Sequence, residues 1–220
     1  TNLQLNGGAY GSESVWSNAS DTSRSPQGAG GGGGLSSFFS LPSWQVGPGV
    51  KNQYSNGNRQ VPDVSADADP ASGYAVYCTV TAAGCSSSGW IVVGGTSAAA
   101  PLWAGSTATI NDYLQKQGKS RMGNANPALY ALENAQQTYT PFHDVTSGNN
   151  LFYPATANFD EASGWGSPDI YNIARDLAAG SSGNPTPTPS PSGTPSPSPT
   201  ATTTPTPVPT ATSTDTPTPV

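Results

Sequence analysis

The sequence predicts an α/β fold with a mainly parallel sheet and flanking helices over residues 1–180, followed by a disordered Pro/Thr-rich tail over 181–220. Three observations carry that prediction. Short β-branched runs ending in glycine stand directly before a long stretch of helix formers, the order of strand, turn and helix that builds a parallel sheet. The first 180 residues are long enough for one domain around a single core. Beyond them apolar bulk nearly vanishes, and 12 of the 22 prolines crowd between Pro185 and Pro219.

Taken in order, the runs Gly73–Cys78 (GYAVYC) and Trp90–Gly95 (WIVVGG) read as short buried strands. Cys78 and Cys85 are separated by the small-residue run TVTAAG, and a local disulfide in an oxidising compartment is preferred over two free thiols. TSAAAPLWAGSTATINDYLQKQG then reads as a long helix that stops at Gly118. Small and apolar residues surround its first turns, so it is expected to be buried. NPALYALENA reads as a second helix, with Asn126 as cap and Pro127 in the first position. SPDIYNIARDLAAG, Ser167 to Gly180, reads as a third. The tail holds one charged residue, Asp215, and cannot bury enough surface to offset chain entropy, so it reads as an extended linker or stalk.

Charge narrows the function. Seven Lys+Arg against 13 Asp+Glu give a net charge of −6, which argues against nucleic acid as a partner. Charged residues make up only 9% of the chain, against roughly 25% in an ordinary soluble domain. No stretch approaches the roughly 18 apolar residues of a membrane span. With two cysteines and one histidine, a zinc site is not expected.

The chemistry concentrates at GGTSAAAP, Gly94 to Pro101. Ser97 falls just inside a predicted helix N-terminus, where free N–H groups and the helix dipole favour negative charge. An acyl-transfer nucleophile with an oxyanion donor suits that place. Pro101 cannot donate a helical hydrogen bond to the Ser97 carbonyl, which keeps the turn open. The plainer alternative is an ordinary N-cap among residues kept small for packing. The only histidine, His143, lies downstream in a polar loop, PFHDVTSGN. The residue two after Ser97 is Ala99, so the motif is not the G-x-S-x-G elbow.

GGTSAAAPLWAG resembles the nucleophile motif of the sedolisins, the serine-carboxyl peptidases. Four more segments are similar to that family in the expected order: GAGGGGGLSSFFSLPSWQ, RQVPDVSADADPASGYAVY, HDVTSGNN and FDEASGWGSPD. The resemblance covers essentially all of residues 1–180 and implies the C-terminal part of a subtilisin-like fold. It implies a secreted, monomeric serine endopeptidase acting on protein or peptide substrates at acidic pH, with an N-terminal propeptide in the complete protein. Ser97 would be the nucleophile, and its own N–H would serve the oxyanion hole. The activating Glu, its partner Asp and the oxyanion Asp match positions before Thr1, so this chain is expected to be inactive alone. Glu13, Asp63, Asp67 and Asp69 fall outside the family's triad, and Asp63 is expected to be structural, bonded to backbone N–H groups. The resemblance also implies one calcium ion held by the Asp144 and Asp160 carboxylates with carbonyls of Val145, Thr156 and Asn158, where the family usually has Gly at the last two positions. Two other readings stay open. One is a subtilisin-type Ser-His-Asp peptidase, and the other is a non-catalytic wall or binding module keeping the fold.

Overall fold

Residues 1–23, 26–85, 89–135 and 138–180 are described by a computed structural model. The chain divides into two units, Thr1–Thr186 and Pro187–Val220, and the predicted disordered tail lies outside the described residues. In chain order the first unit holds β1 (Asn2–Asn6), β2 (Ala9–Ser14), β3 (Ser17–Asn18), β4 (Ala29–Gly30), β5 (Gly34–Ser40), β6 (Asn58–Val61), β7 (Tyr74–Tyr77) and β8 (Trp90–Val93). After these come α1 (Thr96–Lys116), α2 (Ala125–Asn134), β9 (Phe142–His143), β10 (Ser167–Pro168) and α3 (Ile170–Ala179).

The expected mainly parallel sheet is not found among the described residues. The ladders are five two-stranded antiparallel pairs: β1–β2, β3–β4, β5–β6, β7–β8 and β9–β10. A parallel pair needs a crossover that returns the chain to the same sheet. Here α1 runs into α2 instead, and the strand that follows, β9, pairs antiparallel with β10. Parallel pairing survives only as isolated contact, with a parallel bridge between Val15 and Gly148 and the Val15 N–H donating to the Ser147 carbonyl at 2.9 Å.

The helices explain the core. In α1 the buried positions are Ser106, Ile110 and Leu114, one stripe at four-residue spacing. Ile110 and Leu114 join Leu129, Tyr130 and Leu132 of α2 and Ile173 and Ala174 of α3 around Phe142, Phe159 and Trp165. The expectation that all of α1's first turns are buried is corrected. Thr96, Ser97 and Ala100 to Leu102 are exposed, as are Ala104 and Gly105. A run of small residues forms helix readily but selects no face, so packing alone decides what is covered. Gly118 ends α1 as expected. At φ +69° it donates to the Gln115 carbonyl (3.0 Å), while Lys119 reaches back to Leu114 (2.9 Å), the paired bonds of a left-handed helix stop.

α2 begins earlier than expected, with Asn124 rather than Asn126 as its cap. Pro127 is then the third helical residue, where an N–H would still lack an intrahelical acceptor. Asn126 is turned to another use, donating to Asp63 at 3.1 Å. α3 starts at Ile170 rather than Ser167. Asp169 caps it by accepting from the Asn172 N–H at 2.9 Å, and Ser167–Pro168 are drawn into β10 instead.

Beneath the helices lies a buried polar chain. Gln45 donates to the Gln60 carbonyl and to the Tyr130 hydroxyl, both at 2.8 Å, and Tyr130 in turn donates to Asp63 at 3.0 Å. Arg59 pairs with Asp63 and lies over the Trp44 ring, 5.0 Å from its centroid. Burial, then the Asp63 charge, hold the Tyr130 phenol far above its ordinary range, so it remains a donor. Asp63 is therefore structural, as expected, but its carboxylate is held by side chains, Arg59, Asn126 and Tyr130, rather than by backbone N–H groups.

Candidate active site and cation site

β8 leads through Gly94 and Gly95 into α1, and two local constraints demand glycine there. A Cβ on Gly94 would sit 2.6 Å from the Pro70 backbone, because segment 68–70 presses against the turn. Gly95 caps the helix at φ +86°, a conformation that side-chain-bearing residues rarely adopt. Its N–H donates to the Ala68 carbonyl at 2.5 Å, and its carbonyl accepts from Ala98 at 2.9 Å. Ser97 is the second residue of α1 and is exposed, and its hydroxyl has no hydrogen-bond partner among the described residues. Pro101 sits inside the helix, so the Ser97 carbonyl receives no helical N–H from that position.

The turn that supports Ser97 is itself braced. Asp67 accepts from the Leu3 N–H at 3.2 Å and from Ser72 Oγ at 2.8 Å. Asp69 accepts from Asn2 Nδ2 at 2.5 Å and from the Ala71 N–H at 2.9 Å. The start of β1 is thereby fastened to the 67–72 turn, whose Ala68 and Pro70 carry Gly94 and Gly95. Sequence reasoning placed Asp67 and Asp69 outside the triad but missed this bracing role, for which the DADP run was the only signal. Gly94→Ala is expected to cost about 2–3 kcal/mol by forcing backbone apart, read as a lower denaturation midpoint at constant m-value.

Glu13, a carboxylate near the chain's start, and His143 are engaged elsewhere. Glu13 accepts from the hydroxyls of Thr1 and Ser167. His143 pairs with Ser167 across β9 and β10, and its ring stacks on Tyr10 at a centroid distance of 3.8 Å and an interplanar angle of 11°. Among the described residues, neither group bonds to Ser97.

The five residues proposed from sequence for a cation come together in one loop region. Asp160, 2% exposed, accepts from the N–H groups of Thr156 (2.7 Å), Ala162 (2.9 Å) and Ser163 (2.8 Å) and from Ser163 Oγ (3.0 Å). Asp144 accepts from the Asn158 N–H at 2.8 Å. The Val145 carbonyl accepts from Ser163 Oγ at 3.5 Å. Burial raises the Asp144 carboxyl, and the Asp160 charge adds to that rise against the Asn158 N–H. Burial likewise raises Asp160 against the pull of its N–H partners. Among the described residues neither has a cationic side chain beside it. A buried Asp160 carboxylate and a more exposed Asp144 carboxylate, both without a cationic side chain beside them among the described residues, stand among loop oxygens, a set that fits a hard cation. Asn158 stands at φ +67°, the left-handed region that Asn tolerates best after Gly, so the loop accommodates the departure from the family's usual residue. Thr156 and Asn158 offer N–H groups to the carboxylates, and nothing in the contacts turns their carbonyls inward.

A carboxylate that sequence reasoning missed stands nearby. Glu133, near the end of α2, is pushed up to about 7 by burial and by the Asp144 charge. It shares with Tyr139, Phe142, Asp144 and Asn158 the walls of a cavity of about 320 Å³. No linear motif could place it, since eleven positions separate it from Asp144 and only the fold brings them together.

Known proteins are similar to this chain in sequence and in fold. No family model matches the chain. It is 39% identical over 191 residues to kumamolisin from Bacillus sp., covering 83% of this chain and 30% of that protein. It is 32% identical over 183 residues to sedolisin from Pseudomonas sp., covering 80% of this chain and 27% of that protein. Among solved structures, Pseudomonas sedolisin, a serine-carboxyl proteinase complexed with two molecules of pseudo-iodotyrostatin, superposes with a TM-score of 0.62 at 30% identity, over 81% of this chain and 45% of that chain. The chain thus spans 30% and 27% of the length of these two curated relatives. A strand, a double-glycine turn and a serine at a helix N-terminus, within a fold that superposes on a serine-carboxyl proteinase, define part of a subtilisin-like α/β domain. The chain belongs to the sedolisin family.

Proposed function

We propose that this chain is the C-terminal part of a secreted serine-carboxyl endopeptidase and contributes Ser97 as its nucleophile. The observation that carries the reading is the exposed Ser97 at the N-terminus of α1, its hydroxyl without a hydrogen-bond partner among the described residues, on a glycine turn braced from β1. Ser97 Oγ attacks the scissile carbonyl carbon while a carboxylate takes the hydroxyl proton, and the carbonyl oxygen gathers negative charge beside the Ser97 N–H and the helix dipole. The tetrahedral species collapses to an acyl-enzyme as the protonated carboxyl returns its proton to the leaving amine. Water then adds by the reverse route and frees Ser97. Glu13, Asp63, Asp67 and Asp69 are already committed, so the base, its partner Asp and the oxyanion Asp are assigned to the part of the complete protein not represented in this sequence.

The Asp144 and Asp160 carboxylates with the Val145 carbonyl are proposed to hold one calcium ion. The Thr156 and Asn158 carbonyls complete the set once the loop turns them inward. When bound, the ion neutralises the buried Asp160 carboxylate and the more exposed Asp144 carboxylate and fixes loop 144–160, a stabilising rather than a chemical role. The complete protein is proposed to act as a monomer on protein or peptide substrates after loss of a propeptide. The bonded Cys78–Cys85 pair supports an extracellular setting. No described helix is long and apolar enough to cross a membrane.

A pH profile of peptide hydrolysis by the complete protein tests the base. Activity that climbs as pH falls below about 5 is the expected result, because a carboxylate base stays partly ionised there while an imidazole is protonated. A profile lost through about pH 6.5 would assign the base to histidine instead.

A further inference from the structure

The β7–β8 hairpin presents an apolar face with no task in the fold. Tyr77 pairs with Trp90 and Ala75 with Val92, so these four side chains share one side of the ribbon. Tyr77 is 60% exposed, Trp90 62% and Val92 63%. The opposite side is more covered, with Tyr74, Ile91 and Val93 half-buried and Val76 40% exposed, and the Tyr74 hydroxyl there donates to the Asp67 carbonyl at 2.9 Å.

The exposed rings are held in place. They meet edge to face with centroids 5.2 Å apart. A Cβ on Gly89 would lie 2.5 Å from the Tyr77 ring, so the ring rests directly on that glycine. The Cys78 N–H donates to the Gly89 carbonyl at 2.5 Å, and the Cys78–Cys85 disulfide fixes the start of the connecting loop. Two aromatic side chains locked in this way and left in solvent bind with little further loss of freedom.

Their position and charge point to an occupant. β8 continues through Gly94 and Gly95 into Ser97, which puts Trp90 at most about 24 Å from the nucleophile along extended backbone. An extended peptide seated on Ser97 spans that distance in about seven residues. No charged residue occurs between Asp69 and Asp112, so the sequence around the platform has no charge to offer and none to lose in acid.

We infer that Tyr77 and Trp90 form a specificity platform that binds an aromatic or large aliphatic side chain of the peptide substrate, within about seven residues of the bond cut at Ser97. The inference rests on the peptidase reading above and adds the substrate feature that the site selects.

The test uses the complete, disulfide-bonded protein and a set of peptides in which Phe or Ser is placed in turn at each position flanking the scissile bond. The parent is expected to prefer Phe at one of these positions. Trp90→Ala and Tyr77→Ala should lower that preference, taken as a ratio of kcat/KM values, about tenfold, and Trp90→Phe should restore most of it. If Trp90→Ala does not fold, Tyr77→Ala and Val92→Thr allow the same comparison. An active parent whose preferences survive every substitution, or fall equally at all positions, overturns the platform alone. An inactive parent overturns the peptidase reading and the platform with it.

Discussion

Replacing Ser97 with alanine in the complete protein is expected to abolish peptide hydrolysis, lowering kcat on the order of a million-fold. The size follows from the role proposed for the residue, in which without Oγ no acyl-enzyme would form and only binding and oxyanion stabilisation would be left. The same substitution should leave the denaturation midpoint within about 0.5 kcal/mol of the parent, because Ser97 is exposed and its hydroxyl is bonded to nothing described. That separation makes the experiment decisive. Unchanged hydrolysis would remove Ser97 from the chemistry and favour a non-catalytic role for the fold. Lost hydrolysis with lost folding would instead assign Ser97 to structure.

The second large effect is on stability and centres on Asp160. Asp160→Ala removes the acceptor for four donors, of which the Ala162 and Ser163 N–H groups are buried. A loss of about 3–5 kcal/mol is expected, from stranded buried N–H groups and from loss of the proposed cation site. Saturating calcium should protect the parent and not the variant, by about 2.7 kcal/mol at one hundred times Kd. Equal protection of both would remove Asp160 from the ligand set.

The pH dependence of this effect has a defined sign. In metal-free protein the Asp144, Asp160 and Glu133 carboxyls all lie above their ordinary values of 3.8, 3.8 and 4.5. The stability they contribute is therefore complete below those values and is lost as pH rises through the folded ones, about 7 for Glu133. Calcium favours the ionised carboxylates and reverses the trend, so its protection should be greatest near neutrality and fade toward acid. Tm measured against pH in metal-free and calcium-loaded protein checks both limbs, and parallel curves would dissociate these carboxylates from the ion.

Local signals in the sequence were read where local chemistry decides the outcome. Gly118 as a helix stop, a third helix ending at Gly180, and the Cys78–Cys85 pair all depend on neighbours within a few positions, and all are found. The turn that sets Ser97 at a helix start was legible for the same reason. Pairing was not. GYAVYC and WIVVGG were recognised as strand-forming, but periodicity does not name a partner, and the two close on each other as a hairpin rather than entering a parallel sheet. The exposure of α1's first turns was hidden because Ala98 to Ala100 fit a buried and a half-covered helix equally well. Glu133 reaches Asp144 through the packing of α2 against loop 138–144, a tertiary fact that no spacing rule contains.

The bracing of the Ser97 turn also bears on when the site can exist during synthesis and refolding. Asn2 and Leu3 reach partners 67 and 64 positions away, and Glu13 reaches Ser167 across 154. Contacts of such separation form late and slowly, since the loops they close must first be ordered. Helix α1, being local, forms early and carries its serine on an unsupported turn. Under the proposed peptidase reading, competence to cut is thereby tied to near-completion of the fold, and a nascent or clipped chain that carries Ser97 is not yet a hazard to its neighbours.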